Sequence, residues 1–200
     1  MTASVPAAQG AAETLRYPPG SLVILTGLPG AGKTTLLQRL YNLAGTETAP
    51  VTAGPAVVVI DSHQSRLHWA TRLRHAPKPL RGAIVFATHL WRIRRALQAG
   101  HAVVAHNRGC ATPILYGFAH LARHHRTTLH LLLLDVPPAQ AVAGQHARGR
   151  IVTPHTFARH HRRWQALLTQ VNNGDPTPAA SARVLDRPAA DRLEALHFDT

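Results

Sequence analysis

Ser21-Leu22-Val23-Ile24-Leu25-Thr26, running straight into Gly27-Leu28-Pro29-Gly30-Ala31-Gly32-Lys33-Thr34, decides how the rest of the chain is read. The first six residues form an unbroken apolar run of strand length, the pattern of a parallel strand buried on both faces. The next eight satisfy G-x-x-x-x-G-K-[ST] in full. From Lys33 the apolar residues fall at helical spacing, with Leu36, Leu37, Leu40 and Leu43 on one face and Gly45 as the expected C-cap. Strand, glycine turn and helix in that order are the context this motif needs. The glycines let successive N–H groups point inward as an anion nest, seated on the positive end of the following helix. Lys33 then supplies an ammonium for the β- and γ-phosphates of a nucleoside triphosphate. Thr34 offers a hydroxyl to Mg²⁺, and Thr35 reaches toward the α-phosphate. A chance match in a chain of this length is on the order of one per cent.

Outward from the loop, apolar runs alternate with helical patterns. Thr46–Pro55 reads as a Pro/Thr/Gly-rich connection, and Val57–Ile60 as a second strand, expected beside the first and ending in Asp61. Ser65–Arg74 reads as helix, Pro77-Lys78-Pro79 as an interruption, and Ile84–Gln98 as a longer helix. His101–Ala105 is a third strand, Asn107-Arg108-Gly109 a loop, Pro113–His125 a helix and Leu129–Leu134 a fourth strand. Ala139–Gly144 and His155–Val171 are helical, separated by Arg148–Arg150. Asn172–Ser181 is a linker, Ala182–Asp186 a strand and Ala189–Leu196 a final helix. The alternation predicts an α/β sandwich of three layers, a mostly parallel sheet with helices on both faces and ligands beyond the carboxyl ends of its strands. The expected division is a flexible leader over residues 1–19 and one domain over 20–200, with a lid near 144–154 and a terminal strand and helix near 182–197.

Between Glu47 and Asp175 the only acids are Asp61 and Asp135. Asp61 ends a strand where a hydroxyl would approach a γ-phosphate, so it is a candidate to orient that hydroxyl and take its proton. Capping the Ser62–Leu67 turn, or holding Mg²⁺ through water, are the alternatives. Asp135 precedes Val136-Pro137-Pro138 and reads as a cap. The third strand ends in His106-Asn107 rather than in an acid. Gly144–Arg150 is basic, and Arg148 and Arg150 are candidates to close over the phosphates; a solvated arginine pair is the alternative. The histidine pairs His124-His125 and His160-His161 do not read as metal sites, because neighbours on a helix point about 100° apart and no zinc-type spacing occurs.

The 200 residues are 45% hydrophobic, enough for one core, and carry a formal net charge of +13. Of the 22 basic residues 20 are arginines, spread along the chain rather than gathered in a stripe, so nucleic-acid binding is not favoured. No run of 18 apolar residues suggests a membrane span, and the first residues lack a secretion signal. Cys110 has no cysteine to pair with and reads as a packing residue. The expectation is a soluble, cytoplasmic protein.

GLPGAGKTT at the first turn, VVVIDSHQSR at the second strand's end, and LLLLDVPP followed by HARGR together resemble the small P-loop NTPases of the AAA_33 type, relatives of polynucleotide kinase, zeta toxin and small-molecule phosphotransferases. The resemblance spans about Ser21–Leu168. It implies that Asp61 stands where such kinases keep the acid that activates the acceptor hydroxyl, that Arg66 stands where a substrate- or phosphate-binding basic residue follows, and that Arg148 and Arg150 match the lid. The expected function is Mg²⁺-dependent transfer of the ATP γ-phosphate to a hydroxyl of an unidentified acceptor. A switch ATPase without an acceptor, and a basic nucleic-acid-binding ATPase, are the rival readings.

Overall fold

The computed structural model describes residues 12–107, 111–147, 149 and 151–199. Its main sheet contains β2 (Leu22–Gly27), β3 (Val51–Ala53), β4 (Val57–Asp61), β5 (Ala102–His106), β6 (Leu129–Leu134) and β7 (Ser181–Leu185), in the order β3-β4-β5-β2-β6-β7. All neighbours are parallel except β3, which runs antiparallel to β4. The helices are α1 (Lys33–Tyr41), α2 (Ser62–Trp69), α3 (Lys78–Gln98), α4 (Thr112–His124), α5 (Pro138–His146), α6 (Pro154–Asn172) and α7 (Arg187–Arg192). Crossovers leave β2 toward β4 on one side, and β5 leads across β2 to β6 on the other. Right-handed connections therefore place helices on both faces of the sheet.

Burial explains the strand sequences. Every residue of β2, β5 and β6 is buried, as their near-continuous Val, Leu and Ile runs require. Burying each Leu or Val side chain is worth roughly 1.5–3 kcal/mol, so these three strands anchor the core. Trp164 of α6 and Phe118 of α4 are the largest fully buried side chains.

The chain departs from several of the sequence expectations. Asp61's strand does not neighbour the loop strand, because β5 lies between them: Leu25 is level with His106, and His106 with Asp61. Local hydrophobicity marks a strand without saying where it inserts. Inside the expected Thr46–Pro55 connection, Val51–Ala53 forms β3. The proline segment starts a helix instead of interrupting one, since Pro77 caps α3 and a proline in the first turn costs no hydrogen bond. Helix α1 stops at Asn42 (φ 50°), short of Gly45, with the Leu43 N–H closing on the Gln38 carbonyl.

Glu13–Tyr17, placed in the leader, forms strand β1, and Leu193–Phe198, read within a last helix, forms β8; the two pair in parallel. Leu193 and Leu196 fit a helical face and a buried strand face alike, and pairing with β1 decides between them. Arg39 of α1 donates to the carbonyls of Ala190 (2.6 Å) and Leu193 (2.8 Å), tying the loop's helix to this ribbon. No helix among the described residues is long and apolar enough to cross a membrane.

Candidate nucleotide and phosphoryl-transfer site

The turn from β2 into α1 is built around positive backbone angles. Gly30 (φ 93°) and Gly32 (φ 99°) lie where L side chains are strained, and a Cβ on Gly30 would run into the Ala141 carbonyl. The Lys33 ammonium, almost fully buried, donates to the carbonyls of Gly27 (2.8 Å) and Leu28 (2.7 Å), so it braces the curl from inside. Gly27, Pro29, Gly30, Gly32, Lys33 and Thr34 line one pocket of about 370 Å³, and Arg66 and His106 face it from α2 and β5. Leu28 and Ala31 point into the core, and Thr35 is exposed at the first turn of α1.

Asp61 serves two structures at once. It caps α2 through a capping box, accepting from the His63 N–H (2.7 Å) while its own N–H donates to Gln64 Oε1 (3.1 Å). The carboxylate also bonds His106 Nδ1 (3.0 Å) and the Thr34 hydroxyl. Burial pushes its pKa up, but the hydrogen bond and charge of His106, the His63 amide and Thr34 together outweigh burial and hold it well below the usual carboxylate range. It stays ionised. The third strand thus contributes an imidazole to the site, and that imidazole reaches the acid supplied by its neighbour.

Asp135 has a different task. It caps nothing: α5 starts at Pro138, its N-cap Pro137 receives no side-chain hydrogen bond, and Asp135 Oδ1 accepts the Trp164 indole N–H (3.0 Å). A buried tryptophan needs such a partner.

Two polar side chains of the pocket, Gln145 and His160, carried no site role in the sequence reading. Gln145 donates to the Pro29 carbonyl (3.0 Å) and accepts from the Val152 N–H (3.0 Å), so one side chain joins the phosphate loop to the residues beyond the basic segment. His160, on the basic helix α6, also lines the pocket. Burial, then Arg159, Arg163 and Lys33, lower its pKa. Its place inside the basic Gly144–Arg150 segment was the sequence's hint of Gln145. Arg148 and Arg150, the expected lid arginines, lie outside the described residues, as do Arg108, Gly109 and Cys110. Among the described residues no group of three or more His, Cys, Asp or Glu side chains is arranged to hold a metal ion.

A family model for an AAA domain, AAA_33, matches residues 22–171, a span running from the loop strand to the end of α6. The chain belongs to the AAA_33 family. Solved structures agree on the fold of this AAA_33 chain. A structure of the Pnkp1/Rnl/Hen1 RNA repair complex matches with a TM-score of 0.59 at 15% identity, covering 77% of this chain and 47% of that one. The AAA_33 chain therefore spans about half of that relative's length. A structure of the PezAT chromosomal toxin-antitoxin system of Streptococcus pneumoniae matches with a TM-score of 0.57, also at 15% identity, over 88% of this chain and 71% of that one. At such identity the likeness is one of fold. No curated protein sequence matches the chain.

Proposed function

We propose that this AAA_33 protein is an ATP-dependent phosphotransferase that moves a γ-phosphate to an acceptor hydroxyl. The observation that carries the reading is the convergence of three elements on one carboxylate: Asp61 from β4, His106 from β5 and Thr34 from α1. A glycine cradle and ammonium suit the triphosphate, and an ionised acid beside the motif threonine suits the reacting end.

Mg²⁺ fits this donor set. Thr34 hydroxyl and Asp61 carboxylate oxygens are hard ligands already in contact with each other, and they would hold the ion directly or through water. Bound there, Mg²⁺ would neutralise charge on the β- and γ-oxygens. The protein's own residues account for the remainder. Loop amides and Lys33 fix the phosphates, and Asp61 orients the acceptor oxygen. That oxygen forms the new bond to phosphorus as the bond to the ADP oxygen breaks, and the hydroxyl proton passes to the Asp61–His106 pair. An acid held so strongly ionised is a weak proton store by itself, so the imidazole's share of the proton is part of the proposal. Arg148 and Arg150 remain proposed as groups that close on the transferring phosphoryl.

The test is transfer of label from [γ-³²P]ATP to hydroxyl compounds, with and without Mg²⁺. Lys33→Met should reduce transfer at least a hundredfold while circular dichroism stays unchanged. Phosphate release without any labelled acceptor, stimulated only by a protein partner, would instead support a switch ATPase.

A further inference from the structure

A second cavity of about 730 Å³ adjoins the phosphate pocket, and Arg66 lines both. Ser62 and Asn107, the residues that follow Asp61 and His106, line it where it meets the reacting end. Its far walls come from α2, α3 and the start of α4, with Lys78 and Arg81 on the first turns of α3 and Trp69 and Phe86 as aromatic surfaces.

Charge is one-sided here. The whole stretch from Ser62 to Leu134, which supplies every wall of this cavity, contains eleven Arg and Lys and no Asp or Glu. Among the described residues the Lys78 and Arg81 side chains have no ion-pair or hydrogen-bond partner, whereas the arginine deeper on the same helix, Arg92, is engaged by Ser65 and the Thr48 carbonyl. Two cations left unneutralised beside a third, Arg66, favour a dianion, and a guanidinium fork matches a phosphate's oxygens.

His89 adds an independent observation. It lines the same cavity with 1% of its surface exposed, and neither ring nitrogen has a partner among the described residues. Buried polar groups are almost always paired, so an imidazole in this state is a group prepared for something that enters. Burial chiefly, with His106 and Arg92 adding to it and Asp61 opposing, pushes its pKa down to about 4. At neutral pH the ring therefore offers one N–H donor and one lone pair, the complement of a hydroxyl.

We propose that this cavity holds the acceptor, and that the acceptor is a small hydroxyl compound already carrying a phosphate group. Arg81 and Lys78 grip that phosphate at the mouth, His89 pairs with a hydroxyl of the acceptor body, and Arg66 stands where acceptor and γ-phosphate meet. The cavity's size suits a metabolite rather than a polymer. The proposal deepens the phosphotransferase reading and rests on it.

Calorimetry on protein saturated with Mg²⁺ and a non-hydrolysable ATP analogue tests it, with matched probes: ribose 5-phosphate against ribose, glycerol 3-phosphate against glycerol, and inorganic phosphate. Each phosphorylated probe should bind at least tenfold more tightly than its neutral partner. Arg81→Ala, at a partly exposed position, should erase most of that advantage, with the analogue's affinity changed less than twofold. His89→Gln should weaken ribose 5-phosphate more than inorganic phosphate. Equal binding of charged and neutral probes, no binding of the phosphorylated ones, or an Arg81→Ala protein that still discriminates would overturn the proposal. So would a 5′-hydroxyl oligonucleotide that binds more tightly than every small ester. Failure of the ATP analogue itself to bind is a separate result, and it removes the nucleotide reading before any acceptor is added.

Discussion

The carboxyl ends of β4 and β6 each present one acid in a chain that has few, and the two acids are used in opposite ways. Asp61 is surrounded by groups that hold its charge, His106, the His63 amide and Thr34, at the edge of the phosphate pocket. Asp135, half-buried, satisfies one buried indole N–H. Both follow an apolar run, so the sequence pattern around them is alike. The difference is the neighbouring strand: β5 brings a histidine level with Asp61, whereas the last residues of the strands flanking β6, Gly27 of β2 and Leu185 of β7, carry no polar side chain. A strand-end acid becomes a site residue through what the sheet order sets beside it.

Removing one charge at each strand end separates the two roles. Asp61→Asn should lower phosphate transfer by roughly a hundredfold to ten-thousandfold, the usual range for a positioned acid or base. Asparagine caps helices about as well as aspartate, so α2 should stay capped, but the variant loses the charge that His106 and Thr34 hold and its urea midpoint should fall as well. A large loss of stability with unchanged turnover would make Asp61 a cap and nothing more.

A pH series separates the two ends next. His89 lies in the electrostatic neighbourhood of Asp61, His106 and Arg92, and its pKa is down to about 4 from 6.5. A histidine depressed on folding gives stability that is complete above the unfolded value of about 6.5 and is lost as pH falls toward 4. At 1.36 kcal/mol per unit the loss amounts to about 3 kcal/mol. Urea unfolding at pH 7.5 and pH 4.5 should reveal it, and His89→Gln should flatten the slope. An unchanged slope in that variant assigns the acid sensitivity to other groups.

At the β6 end, Asp135→Ala leaves the Trp164 indole N–H without its acceptor, at a cost of about 1–3 kcal/mol in stability. Transfer activity under conditions where the protein stays folded should be within about twofold of the parent's. A hundredfold fall would place Asp135 in the reacting centre and cancel the contrast.

What the sequence revealed follows the same division between local and distant causes. The Gly27–Thr35 turn was legible because strand, loop and helix are contiguous, and the positive angles at Gly30 and Gly32 are written in the residues themselves. The four interior parallel strands were legible because burial on both faces leaves an unbroken apolar run. Strand order was not: nothing in Val57–Asp61 says that Ala102–His106 will slip between it and β2. The pairing of β1 with β8 likewise joins segments about 180 residues apart, which no window of sequence contains. Asp61 was singled out by its place at a strand's end among few acids, and Arg66 through the resemblance. His106 was noted for the acid it replaces rather than for the acid it touches. Gln145 and His89 escaped, and His160 was weighed only as half of a metal pair, because a polar residue on a helix looks solvated until the packing around it is known.

The Arg39 tether gives the β1–β8 ribbon a reach beyond its own two strands. Helix α1 carries the proposed phosphate grip at its first turn and, near its last, an arginine fastened to the backbone around Leu193. The ribbon is thus a buttress behind the grip, and trimming the closing strand would slacken the helix at one end while the damage registered at the other.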